Sequence, residues 1–298
     1  MTSSVPAARS VSQPVVQPRL GRRARKLLLD LGTYIALIFG AIIMAGPFVW
    51  MIATAFKTPA DQFTRTLIPN PATLENFQTL WDKLPFTTLI VNSLKIAVLS
   101  TIGQLLTCSM AAFVFAAVRF RGRELLFVLL LATMLIPPQV TLVPNFILFK
   151  VLGILQYAPQ MALWLPAFWG GAFGTFLLRQ FFLTIPRDFA EAARVDGASL
   201  WQIFWSVYLP LAKPALAALA VFTFLWSWND LLHPLIFLPA DLDQTTLTVG
   251  LSLFQTQYAS KWTVMMAGAL VSIIPVIVVF FFAQKQFIEG VAMSGVKK

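Results

Sequence analysis

The chain has very little of what most metal sites and many catalytic sites are made from. It contains one cysteine, one histidine and 12 acidic residues among its 298 residues. Cys108 lies inside an apolar run with no second cysteine to pair with, so we expect a small buried side chain. Cys108 and His233 are too few and too far apart in sequence to bind a metal. No Gly-x-Ser-Gly pattern accompanies His233, which disfavours a membrane-embedded hydrolase.

A phosphate-binding loop is also missing from the sequence. The nearest match is Gly290–Lys297, in which a valine separates the second glycine from the lysine and no Ser or Thr follows the lysine to bind Mg²⁺. The sequence therefore predicts no nucleotide site and no cofactor. If the protein performs ATP-driven work, the ATPase must be another polypeptide.

Acidic residues are absent from the interiors of the apolar runs. Every Asp and Glu falls at the end of a run or between two runs. Ion-coupled carriers usually keep an acid or a histidine inside a span to bind the coupling ion, so this pattern disfavours a proton- or sodium-driven carrier. Asp230 and His233, three residues apart at the end of one run, are expected to form a local hydrogen bond or to contact an external protein.

Apolar residues dominate the composition. They make up 58% of the chain, against 11% charged residues, and 27 residues are Phe. Six runs are long enough to cross a hydrocarbon core of ~30 Å at ~1.5 Å per residue. They cover about residues 31–56, 89–118, 125–149, 159–182, 211–232 and 264–283. The sequence therefore predicts an all-α polytopic membrane protein with six transmembrane helices, the third broken by Pro137, Pro138 and Pro144.

The net charge of +10 is distributed as an orientation signal and does not indicate nucleic acid binding. The N-terminal tail, the 119–123 turn, the 179–213 segment and the C-terminus hold 16 of the 22 Lys and Arg residues. These segments should face the cytoplasm, together with both termini. We interpret residues 1–26 as a disordered basic cytoplasmic tail and residues 27–298 as one transmembrane domain.

A polar segment between the fourth and fifth runs, residues 186–214, is called here the helix-pair loop. Its pattern predicts two short helices that meet at Gly197. Asp188 with Glu191 should cap the first helix, and Ser199 with Gln202 should cap the second. Gly197 can adopt the left-handed conformation that ends a helix. By itself this pattern also fits a simple connector or a DNA-binding helix-turn-helix, but the apolar runs on both sides disfavour the DNA-binding interpretation.

The helix-pair loop resembles the EAA loop of ABC importer permeases, most of all the second permease of the maltose-type carbohydrate importers. The resemblance implies that the loop, between helices 4 and 5, is a cytoplasmic coupling helix pair that contacts an ATPase. The residues that carry it are Glu191, Ala192, Ala193, Asp196, Gly197, Ala198, Leu209 and Pro210. Further matches are Pro47–Trp50, Asn92-Ser93-Leu94, Trp228-Asn229-Asp230 and Gly295-Val296-Lys297.

The resemblance also implies the partners and the location. They are a second homologous permease, an ABC ATPase dimer, an extracytoplasmic solute-binding protein and a carbohydrate substrate. The chain would be a multi-pass protein of the lipid bilayer of the plasma (inner) membrane. A secondary carrier or channel without an ATPase partner is the alternative, and such a protein would have no use for an EAA-like loop.

Uncharged polar residues inside the spans are candidates for a substrate path. They are Gln104 and Thr107 in the second span, and Gln139, Thr141 and Asn145 in the third. The proline breaks in the third span lie beside these residues, and irregular backbone is tolerated in a membrane where it lines protein or water. Hydrogen bonds to neighbouring helices are the other role open to such groups.

The charge distribution gives a prediction of topology. In a Cys108→Ser background, a cysteine at Asp61 should react with an impermeant thiol reagent added outside intact cells, and a cysteine at Ser199 should react only after permeabilisation. Gel-shift labelling measures both, and the opposite pattern would contradict the orientation.

Overall fold

A computed structural model describes residues 21–257 and 261–295, which form helices and connecting segments and contain no strand. Short 3-10 segments cover Pro59–Asp61, Thr133–Leu135 and Leu165–Trp169, and Phe204–Tyr208 is a π-helical turn. The α-helices are α1 (Arg22–Ala55), α2 (Glu75–Lys83), α3 (Phe86–Ala117), α4 (Arg123–Ala132), α5 (Pro138–Val151), α6 (Ile154–Tyr157), α7 (Met161–Trp164), α8 (Ala172–Phe182), α9 (Arg187–Val195), α10 (Leu200–Ile203), α11 (Leu209–Leu211), α12 (Lys213–Trp228), α13 (Leu232–Phe237), α14 (Leu247–Gln257) and α15 (Trp262–Gly295).

Six segments account for the predicted spans, although one of them is bent and another begins at a bend. Four are long and apolar enough to cross a membrane singly, namely 25–55, 86–117, 161–182 and 262–284. The third predicted span is a pair, 123–135 and 138–151, bent by 95°. Pro137 and Pro138 separate its halves, as expected because proline donates no backbone hydrogen bond. Pro144 lies inside α5 without ending it. The fifth predicted span corresponds to 213–228, which follows the 200–211 part of the helix-pair loop at a bend of 79°.

The chain falls into two compact units, residues 1–50 and 51–298. In the first unit α1 begins at Arg22, so that residues 22–26, which we assigned to the tail, are helical. Residues 1–20 lie outside the described residues, and the division of the chain at residue 26 stays a prediction. The second unit contains both of the larger core clusters and the helix-pair loop.

One core cluster lies where the C-terminal ends of α3 and α8 and the N-terminal end of α12 meet the helix-pair loop, and we call it the loop-end core. It includes Cys108, Leu178 and Leu219, which are 0%, 0% and 2% exposed. A Cβ on Gly174 of α8 would lie 2.8 Å from Cys108 Sγ. This glycine therefore permits close packing of α3 and α8, and the expectation of a buried cysteine is confirmed.

The opposite end of the second unit has its own core and is tied together by polar side chains. Asn92 Nδ2 donates to the carbonyl oxygens of Asp243 and Thr245, each at 2.9 Å, and Ser93 Oγ accepts from Leu247 N at 2.8 Å. These bonds join α3 to the segment that precedes α14. They give a structural reason for the Asn-Ser pair that the sequence shows at the start of the second span.

Arg179, at the end of α8, joins three helices at the loop end. Its Nε donates to Phe115 O at 3.2 Å, and its Nη2 lies 3.2 Å from both carboxylate oxygens of Glu124. Its guanidinium carbon lies 4.0 Å from the centroid of the Phe127 ring. The side chain of Arg179 is 10% exposed and that of Glu124 is 62% exposed. The contacts to Phe115 and Phe127 should therefore stabilise the fold more than the exposed ion pair does.

We expect Arg179→Leu to destabilise the protein by about 1–3 kcal/mol, because it leaves the Phe115 carbonyl without a partner. Arg179→Lys should recover only part of this loss, since an ammonium can donate a hydrogen bond but lacks the planar fork of the guanidinium. Glu124→Gln is the matched control and should cost less than about 1 kcal/mol. Thermal unfolding of the purified protein measures all three. Equal effects of Arg179→Leu and Glu124→Gln would contradict this ranking.

Candidate functional site

Helix α9 ends in a left-handed turn at Gly197, as the sequence predicts. Gly197 has a φ of +83°, and Asp196 is the last residue before it. The amide of Ala198 donates to Ala193 O at 2.9 Å, and the amide of Gly197 donates to Arg194 O at 3.0 Å. These two bonds form a Schellman motif, which satisfies carbonyls at the end of the helix. No atom lies within 4 Å of a Cβ built on Gly197, so the positive φ alone is what requires glycine here.

The capping of the two short helices agrees with the sequence in one case and differs in the other. Ser199 and Gln202 form the predicted capping box at the start of α10, with Gln202 Oε1 accepting from Ser199 N at 2.8 Å. The predicted Asp188 cap is wrong. Pro186 is the N-cap residue and makes no side-chain cap bond, and Asp188 lies inside the first turn. A carboxylate there still favours the positive end of the helix dipole.

Aromatic rings attach the helix-pair loop to the membrane helices. The Tyr208 ring lies 5.0 Å from Phe113 of α3 and 5.3 Å from Phe182 of α8, measured between centroids. Phe204 lies 5.4 Å from Phe113. Ile203, Phe204 and Tyr208 are between 1% and 4% exposed. The second half of the loop is therefore part of the loop-end core and cannot move far from α3 and α8 without exposing these side chains.

The outer face of the loop is exposed and carries the EAA-like residues. Glu191, Ala192, Asp196, Gly197 and Pro210 are exposed, whereas Ala193, Ala198 and Leu209 are half-buried against the loop-end core. Large apolar side chains stand beside them on the same loop: Phe189, Val195 and Trp201 are 53%, 88% and 58% exposed. Exposed apolar groups in such a cluster are typical of a protein-docking surface.

A cavity of about 780 Å³ lies between the helices of the second unit. Its walls come from α3, α5, α7, α8, α12 and α13, and from the segments that connect them. The bend between α4 and α5 helps to form it, since Thr133, Met134, Ile136 and Pro138 line one wall. Its volume falls in the range of small-molecule sites.

The five predicted path residues are not all placed at this cavity. Gln104 and Asn145 line it. Thr107 Oγ1 instead donates to Gly103 O at 2.7 Å and lies 3.3 Å from Ala167 O, so it joins α3 to the 165–169 segment. Gln139 is exposed, and Thr141 donates to Pro138 O at 2.9 Å. Neither belongs to the cavity lining.

The cavity contains side chains that the sequence interpretation missed. Phe173, Phe222 and Trp226 line it and are 46%, 51% and 73% exposed. Phe173 and Phe222 contact each other edge to face, with their centroids 5.9 Å apart. Phe222 and Trp226 are four residues apart on α12, and this spacing could have indicated a shared face.

Asp230 and His233 also line the cavity and form the predicted local hydrogen bond. Asp230 Oδ2 lies 2.9 Å from His233 Nδ1, and Asp230 Oδ1 accepts from the His233 amide at 3.3 Å. This hydrogen bond raises the pKa of His233 above its ordinary value, and burial opposes the shift. Since the carboxylate receives Nδ1–H, the His233 Nε2 atom is the ring nitrogen that can bond to a ligand.

Comparisons with known proteins agree on a transport family. Residues 103–292 match the family described as "Binding-protein-dependent transport system inner membrane component". The sn-glycerol-3-phosphate transport system permease of Yersinia pestis bv. Antiqua is 33% identical, over 89% of this chain and 97% of the relative. The arabinooligosaccharides transport system permease of Halalkalibacterium halodurans is 34% identical, over 88% and 95%. The lactose transport system permease of Rhizobium radiobacter is 30% identical, over 91% and 97%.

A solved structure has the same fold. It is a chain of a bacterial ABC transporter involved in the import of the acidic polysaccharide alginate. The TM-score is 0.75 at 26% identity, and the match covers 91% of this chain and 100% of the other. Sequence and fold thus lead to the same conclusion: the chain belongs to the family of inner membrane components of binding-protein-dependent transport systems, the permeases of ABC importers.

Proposed function

We propose that this permease imports a carbohydrate, delivered by an extracytoplasmic solute-binding protein and driven by an ABC ATPase dimer. A second homologous permease would complete the pathway, and the ATP would be hydrolysed on the ATPase subunits alone. The family membership supports this proposal over a carrier or channel that works without an ATPase. The names of the relatives support the substrate class, because they include permeases for arabinooligosaccharides and lactose.

The single observation that carries the proposal is the two-sided construction of the helix-pair loop. One side, with Phe204 and Tyr208, is buried against α3 and α8. The other side, with Glu191, Val195 and Trp201, is exposed. A segment that is fixed to the membrane helices and open on its far face is suited to receive force from a protein docked there.

In the orientation that we propose, the loop and both termini face the cytoplasm, as the basic residues favour. Closure of the ATPase dimer on ATP would pull the loop, and the loop would carry the attached ends of α3 and α8 with it. The helices would then expose the cavity to the outside, where the binding protein releases its solute. Hydrolysis of the ATP would return the helices to their starting arrangement. Such a shift requires contacts that differ between the two states, and the exposed face of the loop can supply them.

Gly197 provides a test of the coupling. Gly197→Val should retain assembly with the partner permease but should lose about 5- to 30-fold in both solute uptake and binding-protein-stimulated ATP hydrolysis. This range corresponds to about 1–2 kcal/mol of strain for a β-branched residue at a positive φ. Reconstituted vesicles allow both activities to be measured on one preparation.

Gly197→Asn is the matched control, since asparagine tolerates the left-handed region better than other residues do. It should keep most of both activities, and Gly197→Ala should fall between the two. Because the site has open space around it, side-chain size alone should not separate these variants. Normal uptake by Gly197→Val would contradict the role of this turn in coupling.

The requirement for an ATPase gives a second prediction. In mild detergent the affinity-tagged chain should co-purify with an ATPase subunit, and the chain isolated alone should bind no ATP. Quantitative mass spectrometry and equilibrium dialysis with labelled ATP measure these two properties. Stoichiometric ATP binding by the isolated chain would contradict the proposal, as would transport by the chain in vesicles that lack any ATPase.

A further inference from the structure

The charges that line the cavity bear on which carbohydrates the permease accepts. Among its lining residues the titratable side chains are Asp230 and His233, and the lining contains no lysine or arginine within the described chain. Lys150 follows the lining residue Phe149, but it is exposed and is not part of the wall. The remaining polar lining groups are uncharged and include Gln104, Asn145 and Ser227.

The Asp230–His233 pair supplies no net positive charge in either protonation state of the histidine. A carboxylate beside a neutral imidazole carries one negative charge in total, and a carboxylate beside an imidazolium carries no net charge. The side chains of Asp230 and His233 are 22% and 32% exposed, so both are partly withdrawn from water. An anionic ligand held at this wall would lose hydration without gaining a partner that carries net positive charge.

We propose that this cavity wall favours an uncharged, polyhydroxylated ligand over an anionic one, and that Asp230 is the residue that disfavours the anion. The inference rests on the proposed import function and deepens it by naming the substrate class. The proposed ligand differs in charge from the phosphate ester and the acidic polysaccharide that the names of two similar proteins specify.

The same wall has aromatic and hydrogen-bonding groups that can bind an uncharged sugar. The faces of a sugar ring carry C–H groups, which pack on exposed aromatic rings such as Trp226 and Phe222. Sugar hydroxyls both donate and accept, so they can donate to the Asp230 carboxylate and bond to His233 Nε2. Gln104 and Asn145 add amide donors and acceptors to the cavity lining.

Thiol reagents of different charge test the electrostatics without knowledge of the natural substrate. A cysteine replaces Ser227, or Thr223 as a second position, in a Cys108→Ser background of the purified permease–ATPase complex. Methanethiosulfonates with a neutral, a cationic or an anionic group are added separately. The intact mass of this chain gives each rate, so cysteines of other subunits do not interfere. Ala72→Cys, on an exposed segment, provides the reference rate for each reagent.

We expect the normalised rates at Ser227→Cys to fall in the order neutral, cationic, anionic, with the anionic reagent about tenfold slower than the neutral one. Adding Asp230→Asn should bring the anionic rate up to the cationic rate. An anionic rate equal to or above the neutral rate would overturn the proposal, since it would show a cationic group at the cavity, for example from the partner permease. An unchanged anionic rate in Asp230→Asn would overturn the assignment to Asp230. Both readouts are independent of ATP hydrolysis and uptake, so a failure of the import function would be seen separately.

Discussion

The proposed coupling depends on one aromatic contact, the packing of Phe113, Phe182, Phe204 and Tyr208. These rings join α3, α8 and the helix-pair loop into one core at one end of the second unit. Close-packed side chains transmit displacement because they have little room to rearrange. The proposed docking surface on the outer face of the loop is therefore connected through packed side chains to the helices that line the cavity.

The cavity depends on a different constraint, which is the inability of proline to continue a helix. Pro137 and Pro138 interrupt the third span and allow the 95° bend between its halves. The bend brings residues of the broken segment to the cavity, which Gln104 of α3 also lines. Backbone that leaves the helical path in this way needs protein or water beside it, and the cavity satisfies that need.

The sequence predicted those features that depend on local rules. Three of them follow from the conformation or hydrogen bonds of one or two residues. They are the left-handed turn at Gly197, the Ser199 capping box and the break at Pro137-Pro138. The Asp188 cap was wrong because the N-cap residue is Pro186, whose fixed φ suits a helix start, so α9 begins two residues earlier than a capping Asp188 requires. Local pattern alone placed that boundary incorrectly.

Features that depend on tertiary contacts were predictable only in part. Gln104 and Thr107 are three residues apart on α3, yet Gln104 lines the cavity whereas Thr107 bonds to the 165–169 segment. The periodicity of α3 does not show which neighbour packs on which face. Trp226 lies on the cavity wall because α12 packs beside α3 and α8, and local sequence does not show this packing.

The most direct measurement is the distance between the helix-pair loop and the end of α3 during the ATP cycle. Spin labels on Arg187→Cys and Arg119→Cys, both exposed positions, report it by pulsed electron paramagnetic resonance in a Cys108→Ser importer whose ATP hydrolysis responds to its binding protein. If the aromatic core makes loop and helix one rigid body, the distance distribution stays narrow and keeps its mean with and without bound ATP. A shift of about 5 Å, one helical turn, or a clear broadening on ATP binding would contradict the account.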